Sequence, residues 1–256
     1  MNKKVLIISS SPRKGGNSET LAAAFAKGAR EAGHQIETVY LREKQVGFCK
    51  GCLACLKLGH CVIQDDAVEI AAKMHDANVL VFATPVYYYC VSGQLKTMLD
   101  RANPLFDTDY VFTKAYLLAT AAEDASETFA GTEKAVQGWV DCFPRCELVD
   151  TIFAGGVNGV GDIAGHPALE KARQEGAVIT SEMELFFRLC PCKTYAVTGS
   201  DGKTTTTTLI AEMLKASGKK VYKGGNIGRA LLPVVEEVSS DDAAVVELSS
   251  FQLISM

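Results

Sequence analysis

The chain has 256 residues, of which 48% are hydrophobic and 22% charged, and its formal net charge at pH 7 is −4. This weakly acidic, globular composition argues against nucleic acid or an anionic membrane as a partner. No apolar run approaches the roughly 20 residues that cross a bilayer, and the start of the sequence lacks a signal-peptide cleavage pattern. We therefore expect a soluble, cytoplasmic protein.

Runs of aliphatic and β-branched residues alternate with helical patterns through the first part of the chain. This alternation predicts an α/β fold with a doubly wound parallel sheet of five strands in the order 2-1-3-4-5. Right-handed crossovers then bring the loops after strands one, three and four to one edge of the sheet. The predicted strands are Lys4–Ser9, Gln35–Leu41, Val79–Thr84, Ala115–Thr120 and Glu147–Phe153. The predicted helices are Ser18–Ala32, Asp66–Asp76, Ser92–Arg101, Glu127–Cys142 and Pro167–Gly176.

The loop after the first strand is crowded with groups that bind phosphate. Arg13 supplies a charged fork, and Gly16 lets the backbone approach a ligand closely. Ser11, Asn17 and Ser18 add side-chain donors beside the N-terminus of the first helix. A capped helix after an ordinary turn is the alternative interpretation. The number of donors favours a phosphate, and the lack of a G-x-G-x-x-G pattern favours a mononucleotide over a dinucleotide.

Aromatic residues follow the third strand, in the run Thr84-Pro85-Val86-Tyr87-Tyr88-Tyr89. Tyrosines at a strand end can wall a flat ring by stacking while their hydroxyl groups stay hydrated. Packing of the same rings into the core explains this run equally well when it is considered alone.

Three segments together resemble one family: Ser11-Pro-Arg-Lys-Gly-Gly-Asn-Ser18, Thr84-Pro-Val-Tyr-Tyr88 and Val91-Ser-Gly-Gln-Leu-Lys-Thr-Met-Leu-Asp-Arg101. In this order they are similar to the flavodoxin-fold NAD(P)H-dependent FMN reductases, in particular the iron-sulfur flavoproteins, over about residues 3–175. The resemblance implies bound FMN. Its phosphate would lie on Ser11, Arg13, Asn17 and Ser18, and its ring against Pro85, Val86, Tyr87 and Tyr88. Gly16 and Thr84 would also contact the FMN. The third flavin loop departs from the glycine-rich pattern of the family and contains Thr120, Ala121 and Ala122.

Four of the nine cysteines lie close together, at Cys49, Cys52, Cys55 and Cys61. Four thiolates suit a [4Fe–4S] cluster in number and softness. The resemblance to iron-sulfur flavoproteins implies the same four ligands, near enough to the flavin for one-electron transfer. A zinc ion, a redox pair within Cys52-x-x-Cys55 and free thiols are the alternatives. We expect the other five cysteines to be packing residues.

The expected activity is hydride transfer from NADH or NADPH to FMN, followed by release of electrons to a small-molecule or protein acceptor. Because the flavin supplies the reactivity, no catalytic side chain is assigned, and no Ser/His/Asp or paired-carboxylate pattern stands out. A non-catalytic flavodoxin-like electron carrier is an alternative. Members of the resembling family are often oligomeric, so we expect a homo-oligomer.

A second phosphate-binding pattern lies near the C-terminus, where Ser200, Asp201, Gly202, Lys203, Thr204 and Thr205 follow a predicted strand Thr194–Thr198 and open a predicted helix Thr204–Ser217. Further strands are predicted at Lys220–Tyr222 and Ala243–Leu248. The flanking runs Gly224-Gly-Asn-Ile-Gly228 and Glu247-Leu-Ser-Ser-Phe-Gln-Leu253 resemble the Mur ligases, most closely UDP-N-acetylmuramoylalanine–D-glutamate ligase, over about residues 165–256.

This second resemblance implies ATP phosphates on the loop around Lys203, Mg²⁺ near Thr204 and Glu247, and a substrate-side role for Asn226. We predict two domains: a flavodoxin-like FMN domain over residues 1–176 and a partial P-loop α/β segment over residues 177–256. Since the sequence ends soon after this loop, we expect a truncated segment without ligase turnover. The alternative is an ATP-binding protein of the Mur ligase type.

Overall fold

The computed structural model describes residues 2–178, 182–226 and 230–249. The chain folds into two compact units, Met1–Ile179 and Thr180–Met256. Within these described ranges, no helix combines the length and the apolar character needed to cross a membrane.

The first unit is built on a parallel sheet. Its strands are β1 Lys4–Ser9, β2 Gln35–Tyr40, β3 Val79–Tyr87, β4 Cys90–Val91, β5 Lys114–Thr120 and β6 Glu147–Ala154. The parallel strands lie in the order β2-β1-β3-β5-β6, which is the predicted doubly wound order, and the fold prediction is confirmed. The two-residue strand β4 was not predicted. It folds back antiparallel on the end of β3, with Tyr87 opposite Cys90.

The helices of this unit cover both faces of the sheet. They are α1 Asn17–Glu31, α2 Cys55–Leu58, α3 Asp66–Asp76, α4 Gly93–Arg101, α5 Ser126–Val140 and α6 Pro167–Ala177. Short 3-10 turns lie at Leu41–Glu43 and Asn103–Leu105. The observed bounds of α1, α3, α4, α5 and α6 agree with the predicted helices to within two residues. The short helix α2 was not predicted.

Alternation along each strand divides the core between the two faces. Leu6 and Ile8 of β1 pack with residues of α3, α4 and α5, whereas Val5 and Ile7 pack with residues of α1 and α6. The pair α1 and α6 approach each other closely at Gly28 and Gly176. A Cβ on Gly28 would collide with the carbonyl group of Arg173, and a Cβ on Gly176 would collide with a backbone carbonyl of α1.

The second unit contains a smaller parallel sheet. Its elements are α7 Glu182–Leu189, β7 Lys193–Val197, α8 Lys203–Ala216, β8 Val221–Gly225 and β9 Ala243–Glu247, with a 3-10 turn at Leu232–Glu237. Strand β9 lies between β7 and β8. Val197, the last residue of β7, and Gly225, the last residue of β8, both pair with Glu247, the last residue of β9. The loops that follow β7 and β8 therefore begin at the same edge as the end of β9.

Candidate functional site

Four loops meet at the carboxyl edge of the first sheet and enclose a cavity of about 200 Å³. They follow β1, β3, β5 and β6. The carboxyl edge of a doubly wound sheet, where the strand order reverses, is the usual ligand position in this architecture. The lining residues are Ser11, Pro12, Arg13, Gly16, Asn17, Ser18, Pro85, Val86, Tyr87, Thr120, Ala121, Ala122, Val157 and Asn158.

The first loop, residues 10–16, leads from β1 into α1. Gly15 has φ +65°, in the left-handed region that glycine adopts without strain. The Ser11 hydroxyl donates to the Arg13 carbonyl at 2.9 Å, so this side chain shapes the loop. Gly16 is the N-cap of α1 and Ser18 lies in its first turn, buried to 2% exposure. The backbone N–H groups of a first helical turn, together with the helix dipole, favour an anion at this point.

The fourth loop, residues 155–162, closes the cavity from the side of β6. One guanidinium nitrogen of Arg13 donates to the carbonyl of Asn158 at 2.7 Å, and the amide of Asn17 donates to the carbonyl of Gly159 at 2.8 Å. The Asp162 carboxylate accepts from the backbone N–H groups of Asn158 and Gly159, at 3.1 and 2.6 Å. Arg13 and Asn17 therefore hold the first and fourth loops together. Because a guanidinium has five N–H donors, Arg13 keeps donors for a ligand.

A chain of buried hydroxyl groups fixes the first loop against the end of β3. Ser92 Oγ donates to Ser10 Oγ at 2.8 Å, and Ser10 Oγ donates to the Ala83 carbonyl at 3.1 Å. The Ser92 backbone N–H donates to Thr84 Oγ1 at 3.1 Å. All three hydroxyl side chains belong to buried residues. Since buried polar groups that are satisfied in this way rigidify a core, the cavity walls are held in one arrangement.

Strands β3 and β4 form a hairpin, here called the tyrosine hairpin, whose tip is Tyr88 and Tyr89. The Tyr89 hydroxyl donates to the Glu123 carboxylate at 3.3 Å, and the same oxygen accepts from Thr128 at 2.8 Å. A Cβ on Gly131 of α5 would collide with the Tyr89 carbonyl, so only glycine permits the observed approach. Helix α5 therefore sets the position of the hairpin.

This contact gives a first prediction. Replacing Gly131 with Ala should force the hairpin away from α5 and lower stability by about 1–3 kcal/mol, as overpacking does. Because Tyr87 lines the cavity, we expect FMN affinity to fall as well. Gly138→Ala on the same helix is the matched control: its Cβ meets no described atom within 4 Å, and alanine raises helix stability by about 0.5–1 kcal/mol. Equal melting temperatures and flavin affinities for the two variants would contradict the prediction.

The structure brings together nearly all the residues predicted to bind FMN. Two of them lie elsewhere: the Thr84 side chain is buried beside Ser92, and Tyr88 is fully exposed beyond the cavity. Three lining residues were not predicted, namely Pro12, Val157 and Asn158. Val157 and Asn158 belong to a glycine-rich run that has the composition of a linker. Asp162 distinguishes this run from a linker, because its carboxylate accepts hydrogen bonds from two backbone N–H groups of the run.

The four clustered cysteines occupy one segment, residues 47–65, here called the cysteine segment. All four line a cavity of about 370 Å³, and Asn103 Nδ2 lies 3.1 Å from Cys55 Sγ. Cys49 and Cys52 are exposed, and Cys55 and Cys61 are partly buried. Two of the five cysteines expected to pack, Cys90 and Cys142, are exposed, so that prediction is wrong for them.

The cysteine set matches the donors of some metal centres and not of others. The soft thiol donors match an iron–sulfur cluster in type and number. No three His, Cys, Asp or Glu side chains in the described ranges lie close enough to hold one metal ion, so the thiols as placed do not form the tetrahedral site that zinc requires. The four thiols line one cavity, and in a [4Fe–4S] cluster each thiolate would bind a different iron.

Arg101, at the end of α4, ties both ends of the cysteine segment to the domain. Its buried guanidinium donates to the carbonyls of Gly47 at 2.8 Å and Ile63 at 3.0 Å. It also forms two bonds with Asp65, at 2.7 and 2.8 Å. Burial raises the pKa of the Asp65 carboxyl, but hydrogen bonds from Arg101, Gly47 and Ala67 outweigh it, and the net pKa lies below the ordinary 3.8. Sequence reasoning gave Arg101 no role, because its partners are distant in the chain.

In the second unit, the loop after β7 contains the predicted ATP-binding residues. Gly199 and Gly202 have φ of +148° and +72°, and Gly202 is the N-cap of α8. Lys203 Nζ donates to the carbonyls of Gly199 and Ser200, at 2.7 and 3.2 Å. The lysine of this loop is therefore folded onto its own backbone. Asp201, Thr204 and Thr205 are exposed residues of the same turn.

Glu247 and Asn226 lie at the same sheet edge. The Asn226 backbone N–H donates to the Glu247 carbonyl at 2.8 Å. Glu247 is 2% exposed, and its Oε2 has no hydrogen-bond partner among the described residues. A buried carboxylate oxygen of this kind is costly unless a donor or a cation compensates it. The remaining residues of the predicted flanking motifs, 227–228 and 250–253, lie outside the described residues.

Comparison with protein-family models gives two matches. The model described as NADPH-dependent FMN reductase matches residues 3–143. The model described as Mur ligase middle domain matches residues 197–255. The two matches do not overlap, and each falls within one of the compact units.

Curated relatives match the C-terminal segment of the chain, over more residues than the second unit contains. The UDP-N-acetylmuramoylalanine–D-glutamate ligase of Clostridium tetani is 59% identical over 91 residues, which are 36% of this chain and 20% of that ligase. The chain thus spans about one fifth of the length of the ligases that it matches.

Solved structures resemble the first unit. The NAD(P)H:quinone oxidoreductase from Methanothermobacter marburgensis has a TM-score of 0.54 at 21% identity, covering 70% of this chain and all of that one. An FMN-dependent NADH-azoreductase from Bacillus anthracis, solved with FMN, has a TM-score of 0.53 at 17% identity, with the same coverage. At these identities the likeness establishes the fold, a flavodoxin-like α/β sheet.

Proposed function

The chain belongs to the NADPH-dependent FMN reductase family, and from this premise we propose that its first unit is an FMN-dependent oxidoreductase that oxidises NADH or NADPH. The observation that carries the proposal is the cavity at the carboxyl edge of the sheet. It combines a helix N-terminus and buried hydroxyl groups at one end with Pro85, Val86 and Tyr87 at the other. Such a site suits a planar ligand with a phosphate group.

The residues of this chain would then divide the binding between them. Backbone N–H groups around Gly16 and Ser18 hold the phosphate, and Arg13 adds positive charge while it fastens the fourth loop. Pro85, Val86 and Tyr87 support one face of the ring, and Thr120, Ala121 and Ala122 contact its edge. When bound, FMN supplies the hydride-accepting ring, so the protein contributes position and electrostatics rather than a nucleophile or base.

The test is a reconstitution. The purified protein is titrated with FMN and with riboflavin, and the oxidation of NADH and NADPH is followed at saturating FMN. We expect FMN to bind, riboflavin to bind much more weakly because it lacks the phosphate, and turnover to require FMN. Equal affinity for the two flavins would contradict the phosphate site. FMN binding without NADH or NADPH oxidation would instead indicate an electron carrier.

The [4Fe–4S] assignment to Cys49, Cys52, Cys55 and Cys61 stays a prediction. Its support is the shared cavity of the four thiols, whereas the zinc alternative has against it that no group of described residues could hold one metal ion. Anaerobic purification followed by iron, zinc, sulfide and flavin analysis separates the alternatives. Four iron atoms per chain would establish the cluster, one zinc ion would establish the tetrahedral site, and neither would leave redox thiols or free thiols.

A second candidate function, ATP and Mg²⁺ binding by the second unit, is favoured by one observation. The unpartnered Glu247 Oε2 lies at the sheet edge from which the Lys203 loop departs, and a cation there would compensate its charge. Calorimetry with Mg-ATP, using Lys203→Ala and Glu247→Gln as comparison variants, tests the idea. Binding unaffected by either change would place ATP elsewhere. Ligase turnover would require phosphate release with a UDP-muramoyl substrate.

We also propose that the protein is cytoplasmic and self-associates. All nine cysteines are free thiols in the structure, which suits a reducing compartment. Large apolar side chains on the cysteine segment are exposed and would be covered in an oligomer; they are Phe48, Leu53, Leu56, Leu58 and Val62. Light scattering on the purified protein measures the oligomeric state directly.

A further inference from the structure

Two cysteines lie in contact at the junction between α7 and β7. Cys190 and Cys192 flank Pro191, and their sulfur atoms are 3.5 Å apart. The Cys190 backbone N–H donates to the Phe186 carbonyl at 2.8 Å, so the last turn of α7 fixes the start of this short run. A proline locks one backbone dihedral angle and restricts the residue before it. The local backbone therefore keeps the two thiols side by side.

The two thiols differ in their access to solvent. Cys192 is 8% exposed and belongs to an apolar cluster of the second unit, whereas Cys190 is half-buried at the margin of that cluster. Burial raises the pKa of the Cys192 thiol, and its hydrogen bond with Cys190 raises that pKa further. A reagent in solution therefore reaches Cys190 first, and Cys192 lies directly behind it.

The sulfur positions suit a bond that forms and breaks. A disulfide has an S–S distance of about 2.05 Å, so the sulfurs need to approach each other by roughly 1.5 Å. Their contacts with the carbonyls of Cys192 and Lys193 are long, at 4.0 and 3.6 Å. Because a thiol is a weak hydrogen-bond donor, these contacts offer little resistance to that movement. A disulfide that closes so short a ring is strained, and strained disulfides are readily reduced again.

Packing accounts for only one of the two residues. A free cysteine behaves as a small apolar side chain, which explains a buried Cys192. It does not explain a second thiol, Cys190, that is in contact with the first and partly open to solvent. Accessible thiols beside a second thiol are the arrangement that thiol–disulfide exchange requires.

We propose that Cys190 and Cys192 form a redox-active dithiol site whose substrate is a low-molecular-weight disulfide. The Cys190 thiolate attacks one sulfur of the substrate, whose S–S bond breaks and releases one thiolate. Cys192 gives its proton to that thiolate and attacks the Cys190 sulfur of the mixed disulfide, which releases the second thiol. Two electrons and two protons thus pass to the substrate, which leaves as two thiols, and an S–S bond joins Cys190 to Cys192.

This dithiol site is independent of the two proposed functions. It precedes β7, whereas the loop of Lys203 follows the other end of that strand. The exchange uses side chains of the second unit and requires neither FMN nor ATP. A failure to bind flavin or nucleotide therefore leaves the test of the dithiol unaffected.

Trypsin gives a direct readout of the pair. It cleaves after Arg188 and Lys193, and the peptide 189–193 contains these two cysteines and no others. The full-length protein is incubated without air in mixtures of reduced and oxidised glutathione, quenched with acid, alkylated and then digested. An open pair carries two alkyl groups, whereas a closed pair carries none and lacks two hydrogen atoms. We expect oxidised glutathione to close the pair and an excess of reduced glutathione to reopen it.

Cys142 and Cys146 are the matched control, because one is exposed and the other partly buried. Their sulfurs contact different backbone carbonyls, those of Gly138 at 3.4 Å and Glu147 at 3.9 Å. The disulfide of peptide 189–193 should be at least about tenfold more abundant than one between these control cysteines. The same incubation in urea should give a smaller closed fraction, since the folded backbone no longer holds the sulfurs together. Equal closed fractions in the folded and unfolded chains would reject the site.

Serine variants assign the two roles. Cys192→Ser should stop at the mixed disulfide, so a glutathione adduct accumulates on Cys190. Cys190→Ser should form an adduct on the buried Cys192 at least about tenfold more slowly. Equal rates of adduct formation, or unaltered protein whose peptide stays doubly alkylated or carries glutathione without closing, would overturn the proposal. If either variant fails to fold, the peptide from the unaltered protein still decides the result.

Discussion

Replacing Ser18 with Asp is expected to abolish FMN binding without unfolding the protein. Ser18 lines the cavity in the first turn of α1 and is buried. A carboxylate about 4 Å from a phosphate charge costs roughly 4 kcal/mol at the effective dielectric of a protein surface. This repulsion corresponds to a loss of about a thousandfold in affinity.

Ser18→Asn is the matched control for this experiment, because asparagine has the shape of aspartate without its charge. We expect FMN affinity of the Asn variant to fall by about tenfold at most, since only one hydrogen bond changes. The two variants should also differ in stability without flavin. An acidic side chain in the first turn favours a helix by about 0.3–1 kcal/mol, so the Asp variant should melt no lower than the Asn variant. Equal FMN affinities for the Ser18→Asp and Ser18→Asn variants would exclude the first loop as the phosphate site.

The second large effect is expected for Arg101→Leu, which should lower the free energy of unfolding by about 3–5 kcal/mol. The substitution leaves the largely buried Asp65 carboxylate unpaired and removes the donors to the carbonyls of Gly47 and Ile63. Both ends of the cysteine segment are then released. We expect the segment to become sensitive to limited proteolysis under native conditions. Urea unfolding and the pattern of cleavage measure the two effects.

Helix α4 also provides a control for the Arg101→Leu variant. Lys96 and Asp100 of α4 form an ion pair with both side chains about half exposed, and such pairs contribute about 0.5 kcal/mol or less. Lys96→Leu should therefore leave stability nearly unchanged. Adding Asp65→Asn to Arg101→Leu should restore part of the loss, because it removes the stranded charge. A loss below about 1 kcal/mol for Arg101→Leu would show that the pair is not a structural anchor.

The stabilisation by the Arg101–Asp65 ion pair depends on pH in one direction. The folded-state pKa of Asp65 is depressed, with burial opposing the shift and hydrogen bonds from Arg101 producing it. The stabilisation is therefore complete above the unfolded-state pKa and is lost as pH falls through the lower folded-state pKa. The stability difference between the unaltered protein and Asp65→Asn should shrink only below about pH 3.8.

Much of the fold follows from local pattern. The strand Lys4–Ser9 was predicted to the residue, because a run of buried aliphatic residues between polar ends has a clear boundary. Strand β4 was missed, because the turn before it consists of tyrosines rather than the Asn-Gly pair that announces a hairpin. The local rule failed at a strained position, where the backbone is held by Gly131 on a distant helix.

The site could be predicted where one loop carries its own signal. The loop of Ser11, Gly16 and Ser18 has such a signal, since its donors and glycines are adjacent in the sequence. The fourth loop could not be predicted, because its place depends on bonds from Arg13 and Asn17 across more than 140 residues. For the same reason, the ends of the cysteine segment gave no indication that Arg101 holds them.

The close approach of α1 and α6 has a practical consequence for anyone expressing this oxidoreductase by itself. The match to the reductase family stops at residue 143, yet the glycine contact at Gly28 is completed by Gly176. A clone trimmed to the family boundary would omit β6 and α6 and uncover the apolar side of α1 to water, which favours aggregation. A stop codon placed after Val178 keeps that side covered while removing the second unit.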